Sequence, residues 1–535
     1  MNWLPPGLLA APAVILIGLG LVPRGRSNDA AGMFGRLATL LCGAMFLMSV
    51  STAVLITMYG AMDYTFARWN LPIPVCLGIH VDAVAVVMMS LISFIGLIIA
   101  RFSSTYLLGD RQQERFFRWM SVTIGASLLL VMSCNLVMFA AAWMFTSYGL
   151  HQLLTLYPER TWAIWAARKK FLISRLGDVM LITALILTFR CFGSTEYTEI
   201  FAAAEAIHNG EAAGSLATSL IGLLFVLGAM TKSAQFPFHS WLPDTMETPT
   251  PVSALMHAGV INAGGFLVIR LSPLVSLSPI ALDLLALIGA ITALLGSVVM
   301  LTQTSIKRSL AYSTIAQMGF MMLQCGLGAF SAALLHIVAH SAYKAYAFLS
   351  CGSVLDSAAQ MKFPAKPVYP AGRIATAVLV AVPLAFGLVY TSFQLVGVDI
   401  SNKPGGLVLT LIMTLAMAHL IWNGLAVGHA GLCLRSLFQA VLVVVVYSVA
   451  YLGIDRLVAS STSHHTVTPS ALDVAVFAVV AVGFAGVFIL QILSGSLTKP
   501  QWVKRLYVHA MNGFYFDIPA RRLTAWFYRQ AAPVQ

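Results

Sequence analysis

Five ionisable side chains stand where the sequence is otherwise apolar. In LLHIVAHSAYKAYAFL, His336, His340 and Lys344 follow at i, i+4 and i+8, which on an α-helix is a single stripe. Lys232 closes the apolar run from Ile221 to Met230, and His257 lies inside another such run. An ionisable group placed in hydrocarbon costs at least about 2.5 kcal/mol, so each of these positions is a functional candidate by default. Lysine withdrawn from water and histidine are the side chains best suited to exchanging protons near neutral pH, so three histidines and two lysines on three helices read as a proton relay. Two blander readings stand beside it. Lys232 could snorkel to the membrane surface. His336 and His340 could be half of a zinc site, although no carboxylate or third histidine stands near them in sequence.

Other groups have supporting roles. Arg175 and Asp178, three residues apart in KKFLISRLGDVM, are placed to form an ion pair in the first turns of a helix at the membrane edge. Thr248-Pro249-Thr250-Pro251 reads as a helix start, with Thr248 as N-cap and Pro249 at the first helical position. The seven cysteines are scattered without CxxC or Cys/His spacing and read as packing residues. With no GxGxxG or P-loop and no haem, iron–sulfur or zinc signature, the chain is expected to carry no cofactor of its own.

The elements that must hold these residues follow from composition. Of 535 residues 59% are hydrophobic and 9% charged, against roughly 25% charged in an average soluble domain, which excludes a soluble enzyme. Long unbroken apolar runs, such as Ala377 to Leu388 and Val474 to Leu490, exclude a β-barrel. Runs of helical length lie near residues 4–22, 36–58, 81–100, 117–133, 135–153, 171–189, 215–232, 250–270, 280–301, 308–326, 330–354, 373–391, 406–427, 435–453 and 472–495. The fold class is therefore an all-α polytopic membrane protein of about fifteen transmembrane helices, the first kept rather than cleaved as a signal peptide.

Charge sets the expected orientation. Basic residues gather after odd-numbered spans (Arg24 and Arg26; Arg101, Arg111, Arg115 and Arg118; Arg160, Arg168, Lys169 and Lys170; Lys307; Lys362 and Lys366; Arg435; then Lys499 to Arg529). The connections after even-numbered spans hold only Arg68, Arg190, Arg270, Lys403 and Arg456, and residues 190–214 are acidic. The positive-inside rule then puts the N-terminus outside and the C-terminus in the cytoplasm, and it accounts for the net charge of +12 without nucleic acid. Pro237 after the seventh span and Pro383 within the twelfth predict two broken helices, the pattern of an inverted-repeat transporter.

Four stretches, KKFLISRLGDVM, TKSAQFPFHSWLPDTMETPTPVSALMHAGVINAGGFLVIR, QTSIKRSLAYSTIAQMGFM and HIVAHSAYKAYAFLSCGSV, carry a resemblance over roughly residues 80–355. They resemble the antiporter-type subunits shared by respiratory complex I, in its chain 5, and the Mrp cation/proton antiporters. The resemblance implies two inverted five-helix repeats and proton transfer through Lys232, His257, His336, His340 and Lys344. The expected organisation is residues 1–100 for the first three helices, 101–270 and 271–430 for the repeats, 431–495 for the last two helices, and 496–535 for a basic, aromatic tail. That tail suits either the headgroup interface or a docked partner.

Three departures narrow the branch. Trp143 is followed by Met144, where redox and antiporter members carry a glutamate that partners the helix-seven lysine. The run from Ile374 to Tyr390 has no lysine, and no long lateral helix follows Leu493. The segment from His257 to Phe266 (HAGVINAGGF), the SYGLHQLL segment and MNGFYFD (Met511 to Asp517) instead resemble the membrane subunits of the DAB inorganic carbon transporters. That implies a bacterial inner-membrane subunit coupling an ion gradient, most readily of protons, to a DabA-like soluble partner on the cytoplasmic face. The partner would be carbonic-anhydrase-like and would carry the zinc and the catalysis. Two alternatives remain open: a proton- or sodium-translocating subunit of a complex I-like or Mrp-like assembly, and a passive membrane anchor.

Overall fold

The computed structural model describes residues 5–22, 29–69, 73–352, 370–398, 400, 405–427, 429–462, 471–493 and 501–529. The expectations for Arg24, Arg26, Lys362, Lys366, Lys403 and Lys499 lie outside the described residues.

Helices begin where a side chain can take up a free backbone N–H. Asp82 accepts from Ala85 N at 2.9 Å, Asn135 from Met138 N at 2.8 Å, and Ser215 and Thr218 form a reciprocal capping box. Sixteen of the helices α1 to α18 underlie the fifteen apolar runs, one run being split between two of them, and two further short helices lie between runs. They are α1 (Pro6–Leu21), α2 (Asp29–Tyr59), α3 (Ala83–Tyr106), α4 (Gln113–Val131), α5 (Leu136–Leu154), α6 (Thr161–Phe192) and, outside the runs, α7 (Tyr197–His208). Then come α8 (Leu216–Lys232), α9 (Thr250–Ala258), α10 (Ala263–Arg270), the single turn α11 (Ser272–Val275), α12 (Pro279–Thr302), α13 (Ile306–Gly326) and α14 (Phe330–Leu349). The last membrane helices are α15 (Ala371–Val396), α16 (Gly406–Val427), α17 (Ala430–Val458) and α18 (Ala471–Leu493), and the tail forms α19 (Gln501–Met511) and α20 (Asp517–Tyr528). Among the described residues nine helices are long and apolar enough to cross a membrane, with Pro6–Leu21 and Leu216–Lys232 as shorter apolar helices. The protein is a multi-pass membrane protein.

The structure corrects the expected elements in several places. The second connection is not a plain loop but an antiparallel hairpin of β1 (Met62–Trp69) and β2 (Val75–Val81), bulged between Thr65 and Ala67. Helix α6 starts ten residues before the apolar run suggests, so Arg168, Lys169 and Lys170 are helical rather than in a connection, and Arg175 and Asp178 lie mid-helix. The eighth span is itself broken: α9 and α10 are separated by one 3-10 turn, Val260–Asn262. Helix α9 begins at Thr250, with Pro249 at the cap, and the Thr248 hydroxyl contacts Ser253 Oγ at 3.2 Å instead of capping.

Of the two expected proline breaks, the seventh span ends at Lys232 and gives way, through a cis Phe236–Pro237 bond, to 3-10 turns at Phe238–Trp241 and Pro243–Glu247. The twelfth span is not broken: α15 runs uninterrupted through Pro383. Pro383 lies on the exposed side of the helix while Ala381 and Ala385 on the other side are fully buried, so the ring and the lost N–H pry apart no packed neighbours.

Close packing of small residues joins the central helices. A Cβ at Gly296 of α12 would come within 2.8 Å of the Ala316 amide of α13, and one at Gly319 would run into the Ala293 amide. At the hairpin end, Arg270 at the foot of α10 grips Asp82 at 2.8 and 2.9 Å with both groups buried, tying α10 to the start of α3.

Candidate functional site

Lys232 does not snorkel. It is 5% exposed, and its Nζ donates to Ser147 Oγ at 2.8 Å and to the Trp143 carbonyl at 3.2 Å while lying 4.5 Å from the Trp143 ring centroid. The last turn of α8 puts it there, because the chain breaks directly after it. From α6, Lys170, also buried, donates to the Ser147 carbonyl at 2.7 Å. Two buried lysines from two helices thus converge on one serine of α5.

The same tryptophan leads to the acidic group. Trp143 Nε1 donates to Asp178 Oδ1 at 3.1 Å, and Asp178 pairs with Arg175 at 2.6 Å. No carboxylate follows Trp143 in sequence, but Asp178 reaches this indole from α6. Arg175, Asp178, Trp143 and Lys232 therefore form one connected series.

A second cluster is built by α9, α13 and α14. His257, fully buried, shares a 3.0 Å hydrogen bond with Thr314 Oγ1 and stacks on Phe348 at 4.4 Å. Thr314 Oγ1 donates to the Leu310 carbonyl at 3.0 Å, and Lys344 Nζ donates to that same carbonyl at 3.0 Å. His340 lies one turn before Lys344, against the backbone of His257. His336 bonds Gln324 at 2.9 Å, with its ring 6.0 Å from that of His340. The stripe expected on this helix is present, and four of the five candidate residues fall in this cluster.

The break after α8 and the break between α9 and α10 join the two clusters. Ser233, next to Lys232, donates to the Ile261 carbonyl at 2.6 Å, and Asn262 donates to Ser341 of α14 at 2.8 Å. Non-helical backbone at membrane depth is tolerated where protein surrounds it and its freed polar groups find partners. Buried hydrogen-bonding atoms nevertheless stay unpaired within the described residues at Gln235 Oε1, His257 Nε2, Asn262 Oδ1 and His340 Nε2. Each such atom costs about 1–3 kcal/mol, and these four stand at two of the histidines and at the two helix breaks.

His336 and His340 also line an apolar cavity of about 970 Å³ between α13, α14, α15, α16 and α17, walled by Phe320, Phe393, Tyr447 and Tyr451 among others. No three His, Cys, Asp or Glu side chains converge among the described residues as a metal site would require.

Sequence reasoning missed Lys169 and Lys170. Lys169 is buried between Asp244 of the 3-10 turn, at 2.5 Å, and Asp517 of the tail, which also pairs with Arg521. The tail folds back onto its own chain: Phe516 meets Phe236 edge-on at 4.6 Å, Met511 O accepts from Gln303 at 3.2 Å, and Arg168 lies 4.9 Å from the Tyr528 ring.

Comparison with known proteins agrees with this architecture. The family described as NADH:quinone oxidoreductase/Mrp antiporter, TM, matches residues 133–384, and that described as NADH-Ubiquinone oxidoreductase (complex I), chain 5 N-terminus, matches residues 71–117. The chain is 37% identical to the probable inorganic carbon transporter subunit DabB2 of Halothiobacillus neapolitanus, over 97% of this chain and 94% of that protein. It is 32% identical to the probable inorganic carbon transporter subunit DabB of Hydrogenovibrio crunogenus, over 85% of each. A chloroplastic NAD(P)H-quinone oxidoreductase subunit 5 from Acorus calamus is 37% identical over 66% of this chain and 48% of its own length. Among solved structures, the Mrp complex from Dietzia sp. DQ12-45-1b shares the fold, with a TM-score of 0.56 and 23% identity; the match covers 99% of this chain and spans 57% of that one.

Proposed function

Because the chain belongs to the DabB-type inorganic carbon transporter subunits of the NADH:quinone oxidoreductase/Mrp antiporter family, we propose that it is the proton-conducting membrane subunit of a pump that accumulates CO2 or bicarbonate. The observation that carries the reading is the pair of buried clusters, Lys170–Ser147–Lys232 and His257–Thr314–Lys344, stitched together across two adjacent helix breaks.

In this reading a proton is handed among His336, His340, Lys344 and His257 in one half and Lys232 in the other. Ser147 and Thr314 hold the amines and the imidazole in line, and Arg175–Asp178 anchors Trp143 beside Lys232. The basic end of the molecule, with Arg168, Lys169 and the tail, faces the bacterial cytoplasm, and the N-terminus lies outside. A DabA-like, carbonic-anhydrase-like partner bearing the zinc docks at that cytoplasmic end and carries out CO2 hydration, made one-way by proton movement through this subunit.

The test is uncoupler-sensitive uptake of labelled bicarbonate by cells carrying Lys232→Ala or Lys344→Ala. Uptake is expected to fall by about 100-fold, the scale on which a positioned proton donor matters, while the soluble partner still co-purifies. Full uptake would remove that residue from the path. Loss of co-purification alone would favour a passive anchor, and quinone reductase or antiport activity in the purified complex would return the protein to the redox or Mrp branch.

A further inference from the structure

Cys76 and Cys134 meet at the hairpin end of the molecule. Cys76 sits in β2 and Cys134 in the connection between α4 and α5, 58 residues later, and their Sγ atoms are 3.4 Å apart with both residues buried. The site around them is built. Asn135 Nδ2 donates to the Cys76 carbonyl at 2.7 Å and lies 3.0 and 3.3 Å from the two sulfurs. His80 N donates to the Met132 carbonyl at 2.9 Å, and Tyr197 N to the Cys134 carbonyl at 3.1 Å, so β2, the α4–α5 connection and the start of α7 are locked in one layer.

We infer that Cys76 and Cys134 form a disulfide in the mature protein, clamping the hairpin to the start of α5. Three observations support it. The sulfurs already touch, so reaching the bond length of about 2.05 Å asks for a side-chain adjustment and not a backbone movement. The connections holding them follow the second and fourth spans, which the orientation proposed above puts outside the cytoplasm, where thiol pairs are oxidised. The surrounding hydrogen bonds fix both backbones before any bond forms. The inference rests on that orientation.

The oxidant is a protein disulfide of the extracytoplasmic thiol-oxidase class. One cysteine, as its thiolate, attacks a sulfur of that disulfide, giving a mixed disulfide and releasing one oxidant thiolate, which takes up a proton. The second cysteine, losing its own proton, then attacks the first cysteine's sulfur; the new S–S bond forms, the mixed disulfide breaks, and the oxidant leaves as a dithiol carrying the two electrons. Burial, reinforced by Cys76 beside it, pushes the Cys134 thiol up to about 12 in the closed structure. Exchange is therefore slow once the layer has packed, which makes the bond a permanent clamp formed during assembly and not a reversible switch.

The experiment is thiol mapping of the full-length protein taken from native membranes. Half is denatured and alkylated with N-ethylmaleimide directly, half after reduction, and both are digested for mass spectrometry. The expected result is a linked peptide pair containing Cys76 and Cys134, two fewer alkylated thiols in the unreduced half, and an alkylated Cys134 in the Cys76→Ser variant. Alkylation of both cysteines without reduction overturns the inference. A Glu199→Cys variant on the exposed side of α7, probed with a membrane-impermeant maleimide in cells with a permeabilised outer membrane, separates the causes. If Glu199→Cys is labelled and the pair is free, the clamp alone is wrong; if Glu199→Cys is protected, the orientation is wrong and the clamp falls with it.

Discussion

Ser147 accepts from one lysine through its hydroxyl and from a second through its carbonyl, and the two contacts can be separated by mutation. Two ammonium groups gathered there repel each other when both are charged, so a proton arriving at one favours departure from the other. Ser147→Ala removes the Lys232 contact and keeps the Lys170 contact. It is expected to lower bicarbonate uptake by about tenfold while leaving assembly intact, as befits a lost hydrogen bond to a charged group of about 1.5 kcal/mol. Lys170→Met is expected to do at least as much, which the same uptake assay and co-purification check. The sequence shows Lys232, His257, His336, His340 and Lys344 readily, since each interrupts an apolar run. Lys170 is hidden in Arg168-Lys169-Lys170, where cations belong by the positive-inside rule; only the early start of α6 turns it inward. Ser147 and Thr314 carry no signal of their own, because a hydroxyl in a membrane helix usually bonds its own backbone.

The apolar runs locate every long helix because the requirement they record, about twenty residues clear of charge, is local. What they do not record is where a helix stops being regular. Pro237 and Pro383 look alike in sequence, yet one lies beyond the end of α8 among packed loops and the other rides on the exposed side of an unbroken α15. The break at Val260–Asn262 has no proline at all and sits next to Gly259, in a segment rich in small residues. The hairpin escapes notice because its two strands are short and lie between long apolar runs. Packing between helices is equally invisible in composition but makes sharp predictions. Gly319→Val in α13 would press a side chain into the backbone of α12 at Ala293 and Gly289. It is expected to cost about 1–3 kcal/mol of stability, whereas Gly453→Val in α17, with open space around it, is expected to cost little. Unfolding in detergent followed by loss of helical signal distinguishes them.

Across the whole molecule the two ends are held by different charge networks. At the hairpin end His80 contacts Asp63 at 2.6 Å and Asp82 at 3.8 Å, and Asp82 is held by Arg270. Burial works against a charge on His80, but the hydrogen bonds to Asp63 and Asp82 outweigh it, and its pKa is raised above the usual 6.5. Its contribution to stability is thus complete below pH 6.5 and is lost as pH climbs through the higher folded value. The thermal midpoint is expected to drop over that window, and the drop to shrink in Asp63→Asn; an unchanged profile in that variant would show that the pair does not couple to folding. At the opposite end Lys169 draws on Asp244 and on Asp517, which is translated 348 residues later. A ribosome therefore delivers one of this ammonium's two counter-charges only after α1 to α18 have left it. A chain halted before that point lacks the Phe516 ring that covers Phe236 and leaves the buried Lys169 with one carboxylate in place of two.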